Sequence, residues 1–433
     1  MDFQILILLI AIVLFGVLAF KRINALILAP LVTIFVIVFS GLPILDSLKG
    51  PFMLTATNYI NKYFLVFFVG ALFGALYQYS GAAASIANWI SGFSKGRFVA
   101  PIVMIITGVL TYGGVSGFVV FFAIYPIALQ LFRKANLSRV LIPASISAGT
   151  WTWSMTGPGS PSIQNVIPMT NLGTSATAAL IPSTVATIAE FIMIFVWLEY
   201  RSRKLTSRGM IFDDPNLMQL SKEEMEVDDS SLPNPYISFI PIILILISFN
   251  IFELPVETSV MIGVISGIIL LFKRIGSVKD WIDVFNQGAA NSGVAILNTA
   301  IVVGFAGVVQ QTDGFARLID NLKNMNMSGM VFVAITVAIA AGAAGSASGG
   351  IGIAFNALKE TYLALGVSPE NIHRISAIAA GTLDTLPHQG AQITLLAICK
   401  LTHKQAYFDI FITQIVIPII TLGVFIPLAS MGL

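Results

Sequence analysis

Two stretches of this chain read almost as copies of each other. Gly74-Ala-Leu-Tyr-Gln-Tyr-Ser-Gly-Ala-Ala-Ala-Ser-Ile-Ala-Asn-Trp-Ile90 aligns with Gly307-Val-Val-Gln-Gln-Thr-Asp-Gly-Phe-Ala-Arg-Leu-Ile-Asp-Asn-Leu-Lys323 at an offset of 233 residues. Gly74/Gly307, Gln78/Gln311, Gly81/Gly314, Ala83/Ala316, Ile86/Ile319 and Asn88/Asn321 are identical. At an offset of 232 the echo continues through Gly113/Gly345, Ser116/Ser348, Gly117/Gly349 and Ala148-Gly149-Thr150/Ala380-Gly381-Thr382. A nearly constant register over this distance means two related halves, so each element of one half needs a counterpart in the other.

The halves are apolar. The chain is 56% hydrophobic and 10% charged, against roughly 25% charged for soluble domains, which makes it an all-α polytopic membrane protein with the lipid bilayer as its surroundings. A formal charge of +2, without a basic or Gly-rich phosphate-binding motif, gives no reason to expect a nucleic-acid partner. Cys399 stands alone, so an internal disulfide and a cysteine–metal site are both excluded. The apolar stretch Phe3 to Phe20 lacks a basic start and is followed by Lys21-Arg22, the pattern of a retained helix with its N-terminus outside. A duplicated membrane chain with Gly-interrupted segments at matching places has the sequence mark of a secondary transporter.

A crossing helix needs about 20 apolar residues. Spans are expected near 3–20, 24–41, 59–80, 140–165, 175–200, 236–252, 257–273, 288–312, 372–399 and 405–431. The stretches 98–132 and 329–365 are too long for one crossing and slightly short for two, and each has Gly and Ser at its centre. Re-entrant hairpins fit them: two half-helices of about 14 residues, each about 21 Å long, meeting mid-membrane. The expected domains are a first inverted repeat over 1–200 (hairpin 98–132, broken helix 140–165), a cytoplasmic linker over 201–235 without a core of its own, and a second inverted repeat over 236–433 (hairpin 329–365, broken helix 372–399). With both termini outside, 17 of the 23 Lys and Arg fall on the inner face, which agrees with basic loops being cytoplasmic. Only Lys49, Lys62, Arg317, Lys323, Lys359 and Arg374 fall outside. Each half then holds five crossings and one hairpin, and the odd number inverts the second copy. Pairs of full crossings in place of hairpins would preserve that parity.

The hairpin tips are the first candidate sites. A helix N-terminus carries unpaired N–H groups and a partial positive charge, so it can bind an anion. Gly114, Ser116 and Gly117 mark one tip, and Ser346, Ser348 and Gly349 the other; glycine lets a ligand approach the backbone and serine adds a hydroxyl. Tight packing of small residues is the alternative reading. The spans that follow are the second candidates. Thr150 to Asn165 contains Pro158 and Pro161, and Gly381 to Thr394 contains Pro387 and Gly390, so neither is one continuous helix. Irregular backbone at membrane depth is tolerated where it is buried in protein or lines a polar cavity. Thr150, Thr152, Thr156, Thr382, His388 and Gln389 are candidate substrate-binding residues there. Asp384 and His388 are the ionisable pair, four apart, and are candidates for proton or cation coupling; a satisfied structural pair is the alternative. Glu190, inside the 175–200 span, is a weaker candidate with a helix-packing alternative.

These residues resemble the gluconate permease family of the ion transporter superfamily, over nearly the whole chain. The most specific piece is Ala380-Gly-Thr-Leu-Asp-Thr-Leu-Pro-His-Gln-Gly-Ala-Gln-Ile-Thr-Leu-Leu396, with Gly113-Gly-Val-Ser-Gly117 and Gly345-Ser-Ala-Ser-Gly349 in support. Leu383-Asp-Thr-Leu-Pro-His388 is closer to a hydroxybutyrate-permease branch than to the gluconate carriers, which carry a Ser-His-Val-Asn-Asp string where this chain continues Gln389-Gly390-Ala391. The resemblance implies proton-coupled uptake of small organic anions by an inner-membrane carrier. It further implies a homodimer whose moving transport domain carries the hairpins past a scaffold, with no organic cofactor. Related superfamily members couple to sodium at the hairpin tips, so sodium stands as the alternative ion.

The expected function is symport of a small hydroxy- or keto-monocarboxylate, such as 3-hydroxybutyrate or a gluconate-like acid, with Ser116, Thr152, Ser348 and His388 touching the substrate. Two other classes compete. Gly114-Val115-Ser116-Gly117 fits the Gly-x-Ser-Gly string of intramembrane serine proteases, with His388 as base, although Ser348 in the repeat lacks a second histidine. An anion channel is the third reading, and uphill accumulation separates it from a carrier.

Overall fold

The computed structural model describes residues 2–21, 23–113, 115, 117–220, 231–252, 254–323 and 327–432, and its regular elements are helices. The first half contributes α1 (Phe3–Phe20), α2 (Ala25–Phe39), α3 (Met53–Tyr79), α4 (Ala82–Ser94) and α5 (Val99–Tyr112). It continues with α6 (Gly117–Lys134), α7 (Ile142–Trp151), α8 (Ile163–Leu172) and α9 (Leu180–Ser207). The second half contributes α10 (Pro235–Asn250), α11 (Val256–Leu271), α12 (Val278–Val309), α13 (Asp313–Lys323) and α14 (Gly329–Ala344). It ends with α15 (Ala347–Ala364), α16 (Pro369–Leu383), α17 (Gly390–Ile398) and α18 (His403–Ser430), the last with a π-turn at Ile412–Val416. The first half also holds four-residue helices at Ile44–Ser47 and Trp153–Thr156.

Side-chain caps set many of the starts. Asp2, Asn24 and Asn234 accept the N–H of Gln4, Leu26 and Tyr236, each two residues on. Ser277/Asp280 and Thr402/Gln405 form reciprocal capping boxes at α12 and α18. Asp2 also receives Arg317 of α13 at 2.8 Å, and that guanidinium holds its carboxyl below the usual carboxylate range.

Among the described residues seven helices are long and apolar enough to cross a membrane, or eight if the bent pair α4–α5 is one span. That pair turns through 119° at Lys95, Gly96 and Phe98, all with positive φ. The stretches read as hairpins are each two helices, of 14 and 18 residues in the first half and 16 and 18 in the second. At 1.5 Å per residue α6 reaches about 27 Å, and Gly117–Lys134 is by itself a candidate crossing. The first arm has the length expected from sequence, and the other three are longer than the expected half-helices. In the second pair Gly350 lies so close to the Ala341 backbone that any Cβ there would collide with it.

Contacts between the halves come in exchanged pairs. The central α3 and α12 pack along each other; α2 packs on α12 and α11 on α3; α1 packs on α13 and α10 on α4. α8 packs on α15 and α16, while α17 packs on α6 and α7. α9 and α18 pack together, joined near one end by Arg201, whose Nε and Nη2 reach the two oxygens of Asp409 at 2.5 and 3.0 Å. Trp197 donates to the same carboxylate. The stretch expected as a linker begins as the last turns of α9, and its Phe212 and Leu217 are buried in the main core. Arg139 holds it by donating to the Phe212 and Met218 carbonyls.

The first break, after Trp151, is fastened from the other half. Arg374 of α16 counts as an outer-loop residue by sequence, yet it is fully buried. Its Nη1 donates to the Thr156 and Gly157 carbonyls and to Asn165 Oδ1, at 2.5, 3.2 and 2.7 Å. Its Nη2 donates to the Ala176 and Ala178 carbonyls at 3.2 and 3.3 Å. Asn165 is held in turn by His373 Nε2 and donates to the Met155 carbonyl. Non-helical carbonyls need donors at this depth, and the planar guanidinium supplies several at once.

Two outcomes follow for stability. Arg374→Lys leaves at least two of five buried acceptors without a donor, each worth about 1–3 kcal/mol, so thermal unfolding in detergent should begin at clearly lower temperature; a lysine variant as stable as the parent would show that the break does not need the fork. Asp409→Asn leaves Arg201 without its counter-charge at a cost of about 3–5 kcal/mol, and the paired change Arg201→Leu/Asp409→Leu should recover most of the lost unfolding temperature.

Candidate functional site

A cavity of about 350 Å³ collects the tips and the breaks of both halves. The first tip gives Val115, Gly117 and Phe118, and the first break gives Thr150, Trp151, Met155, Ser162 and Gln164. The second tip gives Gly345, Ser346, Ala347 and Ser348, and the second break Asp384, Gln389, Gly390 and Ala391. α3 adds Tyr59 and Tyr63, and α12 adds Thr299 and Val303. A neighbouring cavity of about 290 Å³ shares Tyr59, Tyr63, Val303, Gly345, Ser346, Ser348 and Gly390 as walls. It adds Asn58, Lys62, Gly349 and His388.

The second tip is built to present a helix start. Gly345 takes φ +58°, and a side chain there would press on the His388 ring. Ser346, extended at φ −159°, caps α15 by accepting the Gly349 N–H at 3.2 Å. Its hydroxyl lies 3.5 Å from that of Ser348. The 18 residues of α15 thus point their N-terminal end into the cavity.

Asp384 stands at that end. Gln389 Nε2 donates to its Oδ2 at 2.7 Å and Thr385 Oγ1 to its Oδ1 at 3.1 Å. Ala347, in the first turn of α15, lines the same cavity wall. The helix start that sequence reasoning leaves open for a ligand carboxylate therefore already faces a resident one.

His388 does not partner Asp384. The helix ends at Leu383, so the four-residue spacing no longer puts the two on one face. His388 Nε2 donates to the Gly342 carbonyl at 2.8 Å, which leaves Nδ1 as the acceptor nitrogen, buried without a partner among the described residues. The ring stands edge-on to Phe15 and Phe305. It belongs to the neighbouring cavity, where it ties the second break to the end of α14.

Gly117, Thr150, Ser346, Ser348, Asp384 and Gln389 line the central cavity, and Gly349 and His388 the adjoining one. Thr152, Thr156 and Thr382 line neither; their hydroxyls return to the Ala148, Thr152 and Ala379 carbonyls, the usual bond of a hydroxyl to the preceding turn. Thr156 also donates to buried Glu190 at 3.3 Å. Gly114 and Ser116 lie outside the described residues.

Sequence reasoning missed the wall given by α3. The Tyr59 and Tyr63 rings pack at a tilt, 4.6 Å apart centre to centre, and meet Phe118. The Tyr59 hydroxyl, Thr111 Oγ1 and Gln389 Oε1 are buried at the cavity without partners among the described residues. Lys62 stands exposed at the mouth, over the Tyr63 ring at 5.2 Å. The sequence signal for this wall is an aromatic pair four apart, with a lysine between them, inside an apolar span. The walls can thus hydrogen-bond a small polar solute, with a cation at the entrance and one carboxylate inside.

No family model matches the chain. It is 32% identical over 454 residues to the uncharacterized transporter YxjC of Bacillus subtilis (strain 168), across 94% of this chain and 95% of that protein. It is 23% identical over 327 residues to an uncharacterized transporter of Haemophilus influenzae (strain ATCC 51907 / DSM 11121 / KW20 / Rd), across 74% of this chain and 73% of that protein. With its candidate membrane-spanning helices, the chain belongs to the family of multi-pass membrane transporters that includes YxjC.

Proposed function

We propose that this transporter is a symporter of a small hydroxy- or keto-monocarboxylate, driven by protons, in the inner membrane. The observation that carries the reading is the place of Asp384. It shares one cavity with the start of α15, the Ser346 and Ser348 hydroxyls and the unpartnered Tyr59, Thr111 and Gln389 atoms. The helix start and the Ser346, Ser348, Tyr59 and Thr111 hydroxyls are donors that suit a carboxylate, and Lys62 at the mouth raises the local concentration of anions. A second carboxylate beside ionised Asp384 is repelled unless a cation neutralises the first. Binding of anion and cation is then mutually dependent, and that dependence is symport. A proton on Asp384 is the simplest cation; sodium among the Asp384 and serine oxygens is the alternative.

The exchanged packing of the two halves supports an inverted repeat, since a two-fold relation produces paired contacts of this kind. The charge bias of the loops favours an outer position for Lys62 and the cavity mouth. A homodimer with an elevator motion of the hairpins follows from the resemblance to the gluconate permease family and belongs to the same proposal.

The decisive measurement is uptake by proteoliposomes under an imposed proton or sodium gradient, with labelled 3-hydroxybutyrate, lactate, acetoacetate, gluconate and citrate. Accumulation above equilibrium of a monocarboxylate, abolished by collapsing the proton gradient, is the expected result. Accumulation that follows only the sodium gradient would replace the ion, and downhill flux alone would favour a channel. Ser348→Ala should raise the half-saturating concentration roughly 10- to 100-fold, as loss of a charged hydrogen bond of about 1.5–3 kcal/mol predicts. Asp384→Asn should end gradient-driven accumulation while allowing exchange of labelled for unlabelled substrate. Full accumulation by that variant would remove Asp384 from coupling.

A further inference from the structure

The central cavity stops at an aromatic cluster. Phe67 lies 4.7 Å from Phe118 and 5.9 Å from Phe122, ring centre to ring centre, and Ala71, Ala295 and Ile296 complete an apolar core around them. Phe118 faces the central cavity, while Phe122, Ala71 and Ala295 face a third cavity of about 340 Å³. Among the described residues that third cavity shares no lining residue with the other two. It sits at the opposite end of the α3–α12 pair from Lys62, since it takes Gln78 from the end of α3 and Gln287 and Asn291 from the start of α12.

The chemistry of this third cavity is one-sided. Among the described residues its lining holds three side-chain amides (Gln78, Gln287 and Asn291), the phenols Tyr79 and Tyr125, one lysine and no carboxylate. The lysine is Lys400, placed by the turn that ends α17: its φ is +54°, and its N–H returns to the Ala397 carbonyl at 3.1 Å. A lysine at a helix C-terminus has a local electrostatic use in facing the last carbonyls. That use does not explain why three amides converge with it on one cavity.

We infer that this cavity is a second carboxylate-binding site. A carboxylate placed there is held by the Lys400 ammonium, with the amide N–H groups of Gln78, Gln287 and Asn291 as neutral donors. The proposal rests on the carboxylate-transport reading above and extends it: the anion meets a lysine at each end of the α3–α12 pair, with Phe67, Phe118 and Phe122 between the two chambers.

The test uses the full chain in proteoliposomes, with Val294→Cys as a reporter on the cavity wall and Cys399→Ser to remove the native thiol. The rate of maleimide labelling is measured with lactate, 3-hydroxybutyrate or gluconate, and with chloride at equal ionic strength as control. Labelling should slow about fourfold at an anion concentration three times the dissociation constant. The slowing should vanish in Lys400→Gln and persist in Lys400→Arg, both checked for unchanged thermal unfolding. If no carboxylate slows labelling more than chloride, or if Lys400→Gln is protected as well as the parent, the site is overturned. If protection depends on Lys400 while none of the acids is transported under any gradient, the second site stands and the transport reading falls. Gradient-driven uptake without Lys400-dependent protection leaves the transport reading standing and overturns the second site.

Discussion

Unpaired backbone groups are not tolerated inside a bilayer, and this protein interrupts its helices there in both halves. The interruptions survive because each is tied to something rigid. Arg374 gathers four carbonyls and an amide oxygen around the first break. The second break is tied by His388 to Gly342, by Tyr407 to the Thr385 carbonyl, and by Asp384 to Gln389 and Thr385. The Arg374 tie comes from the opposite half, so packing of the two halves supplies the first break with donors. The cavity therefore forms where the halves meet.

The same constraint explains the character of the cavity. Hydroxyls of Thr150, Thr152, Thr156 and Thr382 bond to carbonyls of their own turns. They satisfy the interrupted helices but have less to offer a ligand. The donors left over sit elsewhere, at the start of α15 and on the α3 wall. Asp384 beside that helix start is buried and accepts from Gln389 Nε2 and Thr385 Oγ1. On the symport reading, an ionised carboxylate there opposes entry of a further anion that arrives without a cation, and selectivity and coupling share one electrostatic conflict.

Much of this is legible in the sequence. Period and composition give α1 at its observed ends, and the glycine–serine clusters and the prolines mark the tips and breaks that converge on the cavity. The rest depends on contacts between distant segments. A spacing of four suggests that Asp384 and His388 share a face, but the helix stops at Leu383 and the two side chains turn to different partners. Arg374 resembles a loop cation because no feature of its own segment reveals carbonyls some 200 positions away. Tyr59 and Tyr63 sit in a span with ordinary composition, and only the packing of α3 on α12 and α6 makes them a wall.

The halves are alike in sequence but not in surroundings. Gly70 and Gly74 let α6 approach α3 so closely that a Cβ on Gly74 would lie 2.5 Å from the Phe122 carbonyl oxygen. Gly307, the counterpart of Gly74, instead meets the Pro51 carbonyl and Thr55, on the segment leading into α3 and its first turn. Equivalent glycines therefore serve unlike contacts, and the first tip lies against a central helix through a seam of its own.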